Sequence, residues 1–195
     1  MNSHYFIPDA TLQSRPQTFS YEFNGRTFKF TTDVGVFSVG KMDGQTDLLL
    51  RNMPPVEGSL LDMGCGYGCI GIALAGAHGL TLTQADVNPR AVELTKKNCA
   101  ENGVASTVVL SDGFENISGS FHNIVINPPI HAGKQTVYRI YEGAFEHLCP
   151  NGNLFVVVHK KHGAESTVCK LDEIFKNCET FYKKKGCFLL RCKKL

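Results

Sequence analysis

Residues 59–77 read SLLDMGCGYGCIGIALAGA, and this stretch decides the fold. Leu60-Leu61-Asp62 is a short apolar strand, Gly64, Gly66 and Gly68 punctuate a loop, and Cys69 to Ala77 is a helix of small apolar residues. Glycines let a backbone approach a ligand closely, and the start of the helix adds a positive dipole end. Working outward, Thr81 to Asp86 reads as a strand and Pro89 to Asn102 as a helix with proline in its first turn. Strands follow at Ser106 to Leu110 and Phe121 to Ile126, then a helix from about Gln135 to Leu148, a strand at Asn153 to Val158 and a helix near Glu165 to Phe175. The closing strands, Glu179 to Lys183 and Cys187 to Cys192, are separated by a lysine-rich turn at Gly186 with no room for a helix, so they pair antiparallel. The pattern predicts an α/β fold: a doubly wound, mostly parallel, seven-stranded Rossmann-like sheet with an antiparallel last strand.

The first fifty residues differ. Ser20 to Phe23 and Arg26 to Phe30 alternate polar and aromatic around Asn24-Gly25, a strong hairpin signal. A glycine-punctuated segment, Gly35 to Gly40, leads to Asp43-Gly44-Gln45-Thr46 and an apolar helical stretch through Leu50, and Pro54-Pro55 closes the leader. At 195 residues the chain is expected to form one domain, with 1–55 as hairpin leader and 56–195 as cofactor-binding and catalytic core.

Composition is ordinary, with 43% hydrophobic and 19% charged residues and a net charge of +2, so bulk electrostatics do not point to nucleic acid. The positive charge is uneven, however, crowding into Lys160-Lys161, Lys183 to Lys185 and the last residues. No apolar stretch reaches membrane-spanning length, and the start Met1-Asn2-Ser3-His4 lacks a signal-peptide pattern. Most of the eight cysteines sit in apolar runs, none at the paired spacing of a zinc site. The expectation is a reduced, cytoplasmic protein with no metal and no membrane association.

The strand ends carry the chemistry. Asp62 ends the first strand, Asp86 the second, where a carboxylate accepts both hydroxyls of a ribose, and Asp112 the third, suited to an adenine amino group. At the end of the fourth stands Asn127-Pro128-Pro129-Ile130. Two prolines remove two amide donors and end pairing, so the turn presents a carboxamide and unpaired carbonyls, acceptors for an amino group. The carboxyl edge of an open α/β sheet is where ligands bind. Gly66-x-Gly68-x-x-Gly71, with Asp86 beyond it, also matches the dinucleotide fingerprint, although its glycines begin too early.

LLDMGCGYG, ADVNPRAVELTKKN, SDGF and NIVINPPIHAGK together resemble the class I methyltransferases that use S-adenosylmethionine. With the hairpin leader, GVFSVGKMDGQTDLLL and the ending GCFLLRCKK, the chain is similar to the small single-domain form of the small-subunit ribosomal RNA guanine-N2 methyltransferases. The resemblance implies that Asp62, Gly64, Cys65 and Gly66 line the pocket for the methionine part of the cofactor. It places Asp86 and Asn88 at the ribose, Asp112 and Gly113 at the adenine, and Phe37 and Ser38 over the cofactor. Asn127 and Pro128 would hold the target amine, with Asn127 also beside the cofactor and Pro129, Ile130 and His131 at the substrate. Amino-methylating enzymes often carry an aromatic where this chain has Ile130. The implied partner is ribosomal RNA or the small ribosomal subunit, met by a monomer or homodimer.

The mechanism so implied is alignment: Asn127 and Pro128 each accept one amine hydrogen and aim the nitrogen lone pair at the sulfonium methyl. Three alternatives stand beside it: methylation of a protein glutamine or a small-molecule amine, a nicotinamide-dependent oxidoreductase, and a non-catalytic cofactor-binding subunit.

Overall fold

A computed structural model of the chain describes residues 12–195; the polar start Met1-Asn2-Ser3-His4 lies outside them. Strands β1 (Gln17–Phe23) and β2 (Arg26–Thr32) pair antiparallel across Asn24 and Gly25, whose φ angles of 48° and 74° make the two-residue turn that the Asn-Gly pair favours. Helix α1 (Gly44–Asn52) follows, started by Asp43, whose carboxylate caps the backbone amides of Gln45 and Thr46 at 3.0 Å each.

The remaining elements are β3 (Ser59–Met63), α2 (Cys69–His78), β4 (Thr81–Asp86), α3 (Pro89–Asn102), β5 (Ser106–Leu110), β6 (Phe121–Ile126), α4 (Lys134–Glu146), β7 (Leu148–His159), α5 (Ala164–Phe175), β8 (Glu179–Lys184) and β9 (Cys187–Lys193). Seven strands form one sheet in the order β5-β4-β3-β6-β7-β9-β8, parallel from β5 to β7 and with β9 antiparallel to both neighbours. The expected fold class is therefore the observed one. One boundary moved: α4 stops at Glu146 because Leu148 already pairs with Phe121, and β7 begins there through an irregular start in which Asn151 has φ 64°.

Alternation along the strands sends successive side chains to opposite faces, and both faces are buried. Leu60, Val125, Phe155 and Leu189 pack with α1, α2, α3 and the hairpin, while Leu61, Ile124, Val156 and Leu190 pack with α4 and α5. Two carboxamides of α3 answer the open border of β2. Asn98 accepts from Thr31 N at 2.8 Å and donates to Thr31 O at 2.9 Å; Asn102, one turn on, does the same for Lys29 at 2.9 and 2.8 Å. Spaced four apart, the two carboxamides meet alternate residues of β2 as a neighbouring strand would. Among the described residues no helix is long and apolar enough to cross a membrane, and all eight cysteines are free.

The sheet order reverses between β3 and β6, since β4 lies beyond one and β7 beyond the other. Loops leaving the carboxyl ends of those two strands diverge, which opens a crevice.

Candidate active site

The loop after β3 is shaped by its own backbone. The amides of Gly64 and Cys65 both donate to Ala85 O, at 2.8 and 3.0 Å, holding the loop against the tip of β4. Gly64 and Gly66 have φ of 73° and 60°, and a Cβ would meet nothing within 4 Å at Gly64 and only Val36 at 3.9 Å at Gly66. These two leave open space for a ligand. Gly68 and Gly71 serve packing instead: a Cβ at Gly68 would lie 2.9 Å from Thr95, and one at Gly71 would lie 2.7 Å from Gln84. Burial pushes the Cys65 thiol well up, which favours its protonated form. Asp62 is 1% exposed beneath α2, one oxygen accepting from Gly71 N at 2.8 Å and the other without a partner. It lies behind the loop and is not among the residues that line the cavity.

Asp86 ends β4 facing the loop. Its Oδ2 accepts from Gly66 N at 2.8 Å and its Oδ1 from Asn88 N at 2.9 Å, and the carboxylate, with about four lone-pair sites, keeps acceptor capacity for a further donor. Burial pushes this carboxyl up, against the pull of the Asn88, Gly66 and Val87 amides. The Asn88 carboxamide caps α3 through Arg90 N at 3.0 Å and donates to Gly35 O at 2.8 Å, tying the leader to the site. Arg90 reinforces that tie, reaching Val34 O at 2.8 Å. Phe37 lines the cavity, while the Ser38 hydroxyl bonds Lys41 O at 2.9 Å and lies outside the lining.

Beyond β5, Ser111 fixes the turn by donating to Gly113 O at 2.8 Å and accepting from Asn116 N at 3.0 Å. Asp112, half exposed, is gripped by Arg139 of α4 at 2.5 Å. Beyond β6 the turn differs from its expected form. Pro128 O accepts from Ile130 N at 2.9 Å and Pro129 O from Ala132 N at 2.9 Å, so neither carbonyl is unpaired. Proline at 129, with φ −75° and ψ 75°, sets this tight inverse turn, and each carbonyl keeps a second lone pair. The Asn127 carboxamide donates through Nδ2 to the Thr46 hydroxyl at 3.1 Å.

These ends converge on one cavity of about 350 Å³. Its wall includes Phe37, Gly64, Cys65, Gly66, Asp86, Asn88, Asp112, Gly113, Asn127, Pro128, Pro129, Ile130 and His131 from the sequence reading. Sequence reasoning did not find Thr46, Val87, Arg139, His159 or His162, which also line it. Val87 is apolar yet 39% exposed, a surface suited to the face of a planar ring. Three imidazoles of the lining also gather, with His162 centred 5.8 Å from His159 and 6.3 Å from His131. Burial pushes His162 down, and the charges of His159, His131 and Lys161 push it the same way.

The sequence profile of the methyltransferase small domain matches residues 27–191. The chain belongs to the methyltransferase small domain family. It is 41% identical to the uncharacterized protein YbxB of Bacillus subtilis, with the whole of both chains covered. It is 42% identical to ribosomal RNA small subunit methyltransferase C of Aeromonas hydrophila, over 64% of this chain and 38% of that one. Among solved structures it is similar to the T. thermophilus 16S rRNA N2 methyltransferase RsmC in complex with AdoMet and guanosine, with a TM-score of 0.84 and 28% identity over 94% of this chain and 52% of that one. This methyltransferase thus spans only about half the length, or less, of those two named enzymes. The cofactor of the class is S-adenosylmethionine, and the site fits it: Gly64 and Gly66 leave a cradle that a Cβ would fill, and Asp86 holds acceptors in reserve. The family match overrides the formal dinucleotide fingerprint, whose Gly68 and Gly71 are committed to helix packing.

Proposed function

We propose that this methyltransferase methylates the exocyclic N2 amine of a guanine in small-subunit ribosomal RNA. The observation that carries the reading is the opening of the Asn127-Pro128 turn and of the Gly64 to Gly66 loop into one cavity, across the point where the sheet order reverses. Likeness to RsmC, whose structure holds AdoMet and guanosine, supports guanine as the base.

In this reading Gly64, Cys65 and Gly66 hold the methionine part of S-adenosylmethionine by backbone contact, and Asp86 accepts from the ribose hydroxyls. Val87, Asp112 and Gly113 face the adenine, and Phe37 covers it. When bound, the cofactor supplies an electrophilic methyl group. The chain's own work is on the amine. Its lone pair is delocalised into the guanine ring, so positioning contributes much of the rate. One amine hydrogen goes to Asn127 Oδ1 and the other to the remaining lone pair of Pro128 O, which turns the lone pair toward the methyl and stabilises the positive charge that develops on nitrogen. One of those hydrogens then leaves as a proton to solvent. Ile130 meets the base with apolar contact rather than aromatic stacking, and His131 adjoins it. A guanine inside a duplex hides its amine, so the target nucleotide is exposed or flipped.

The test is transfer of labelled methyl from S-adenosylmethionine to small ribosomal subunits lacking the modification, followed by digestion to nucleosides. Label in N2-methylguanosine is expected. Cofactor binding without any labelled nucleoside would overturn the substrate assignment.

A further inference from the structure

The Asn127 carboxamide has two ends of nearly equal size, one an acceptor and one a donor, and only the acceptor suits an amino group. Its orientation is decided elsewhere in the chain. Asp43 Oδ2 accepts from Gln45 N and Thr46 N at 3.0 Å each, and a carboxylate oxygen receiving two amides is an acceptor only. Thr46 Oγ1 lies 3.3 Å from the same oxygen, so the single hydroxyl hydrogen points at Asp43. Toward Asn127, at 3.1 Å, Thr46 then has only a lone pair to offer. Nδ2 must face Thr46, and Oδ1 must face away from it. Thr46 is 2% exposed, so its hydroxyl has little access to water and Asn127 is its partner on that side.

From this arrangement we infer that Thr46 is a positioning residue for the transfer: its hydroxyl, oriented by Asp43, holds Asn127 with the acceptor end toward the substrate amine. The inference rests on the role proposed above for Asn127. Without the hydroxyl nothing distinguishes the two ends, and a carboxamide turned about presents an NH2 group to the amine hydrogens it should receive. It also gives α1 a part in the chemistry, since Thr46 stands 81 positions from Asn127 and on the far side of the glycine loop in sequence.

Four variants test it: Thr46→Val, which keeps shape and removes the hydroxyl, Thr46→Ser, Asn127→Ala, and Thr46→Val combined with Asn127→Ala. Single-turnover methyl transfer, cofactor calorimetry and thermal melting are read for each. Thr46→Val is expected to slow transfer about 10- to 100-fold, the scale of a misplaced reacting group, with cofactor affinity unchanged. Thr46→Ser restores most of the rate, and Thr46→Val costs nothing further once Asn127 is alanine. Nitrogen-15 NMR gives a substrate-free reading: the Asn127 side-chain amide is protected from exchange in the wild type and in Thr46→Ser, and unprotected in Thr46→Val. A Thr46→Val enzyme at wild-type rate beside an inactive Asn127→Ala enzyme would overturn the positioning role alone. So would a Thr46→Ser variant as slow as Thr46→Val, or additive losses in the double variant. Full activity in Asn127→Ala would instead remove the amine reading of the site.

Discussion

Arg139 grips Asp112 across the mouth of the cavity, Nη2 to Oδ1 at 2.5 Å, with both side chains half exposed. A pair so open to water contributes only about 0–1 kcal/mol, so it yields readily to a ligand. Asp112→Ala should weaken cofactor binding about tenfold, the loss of one hydrogen bond, whereas Arg139→Ala should leave it nearly unchanged. Titration calorimetry with S-adenosylmethionine decides it; equal losses in both variants would mean that the pair acts as a unit.

The glycines of the loop divide into two kinds, and alanine separates them. At Gly68 the backbone has φ 85° and a Cβ would lie 2.9 Å from Thr95 Cγ2 and 3.0 Å from Gln84 Oε1. Gly68→Ala should cost about 2–4 kcal/mol of stability, strain and overpacking together. Gly64→Ala meets no atom within 4 Å, so it should cost only about 1–2 kcal/mol of stability while weakening cofactor binding through a methyl set in the cavity. Urea unfolding and calorimetry on the two variants, read side by side, should show opposite rankings.

Asp62 makes stability depend on pH. Burial pushes its carboxyl up to about 7; the Gly71 amide pulls it down, and the charge of Asp86 adds to the rise. Below the ordinary carboxylate range it is protonated in both folded and unfolded chains. As pH climbs from there to about 7, the unfolded chain releases the proton first, and the folded form loses stability relative to it. The loss is bounded at about 4 kcal/mol and is complete above that range. Asn at this position keeps an acceptor for Gly71 and removes the titration. Asp62→Asn should therefore gain stability over the wild type between pH 5 and pH 8; a difference that stays constant with pH would contradict the assignment.

Lys160 and Lys161 sit beside the three imidazoles at the cavity and form no ion pair among the described residues. Cations without acids beside them suit a phosphate backbone. Replacing both by Glu should raise KM for RNA and flatten the dependence of log affinity on log salt by about 1–2, with cofactor binding unaffected. Filter binding over a salt series measures the slope, and an unaltered slope would remove these lysines from the RNA contact.

Local signals carried most of the fold. Asn24-Gly25 set a hairpin, Pro89 opened α3, and short runs alternating with helices marked the strands of the sheet. Converging strand ends likewise marked the polar part of the cavity wall, from Gly64 and Asp86 to Asn127, though less than half of its residues. What escaped depended on docking across the chain. Thr46 looked like one more residue of a helix start, because its partner Asn127 is contributed by the turn after β6. Arg139 and His162 face the cavity only because α4 and the turn after β7 lie over it. The position of Asp62 was available in the alternation itself: Leu61 and Met63 both pack toward α4, so the residue between them had to turn under α2.

Asn98 and Asn102 also govern what the hairpin can do outside this chain. An outer strand with open amides and carbonyls is a template for any extended peptide, including another copy of the same segment. Along β2 that template is already occupied, since Lys29 and Thr31 have their donors and acceptors answered by α3. The hairpin, with its aromatic side chains Tyr21, Phe23, Phe28 and Phe30 buried in the core, therefore recruits no neighbours through that border. Two side chains of a single helix keep it solitary there.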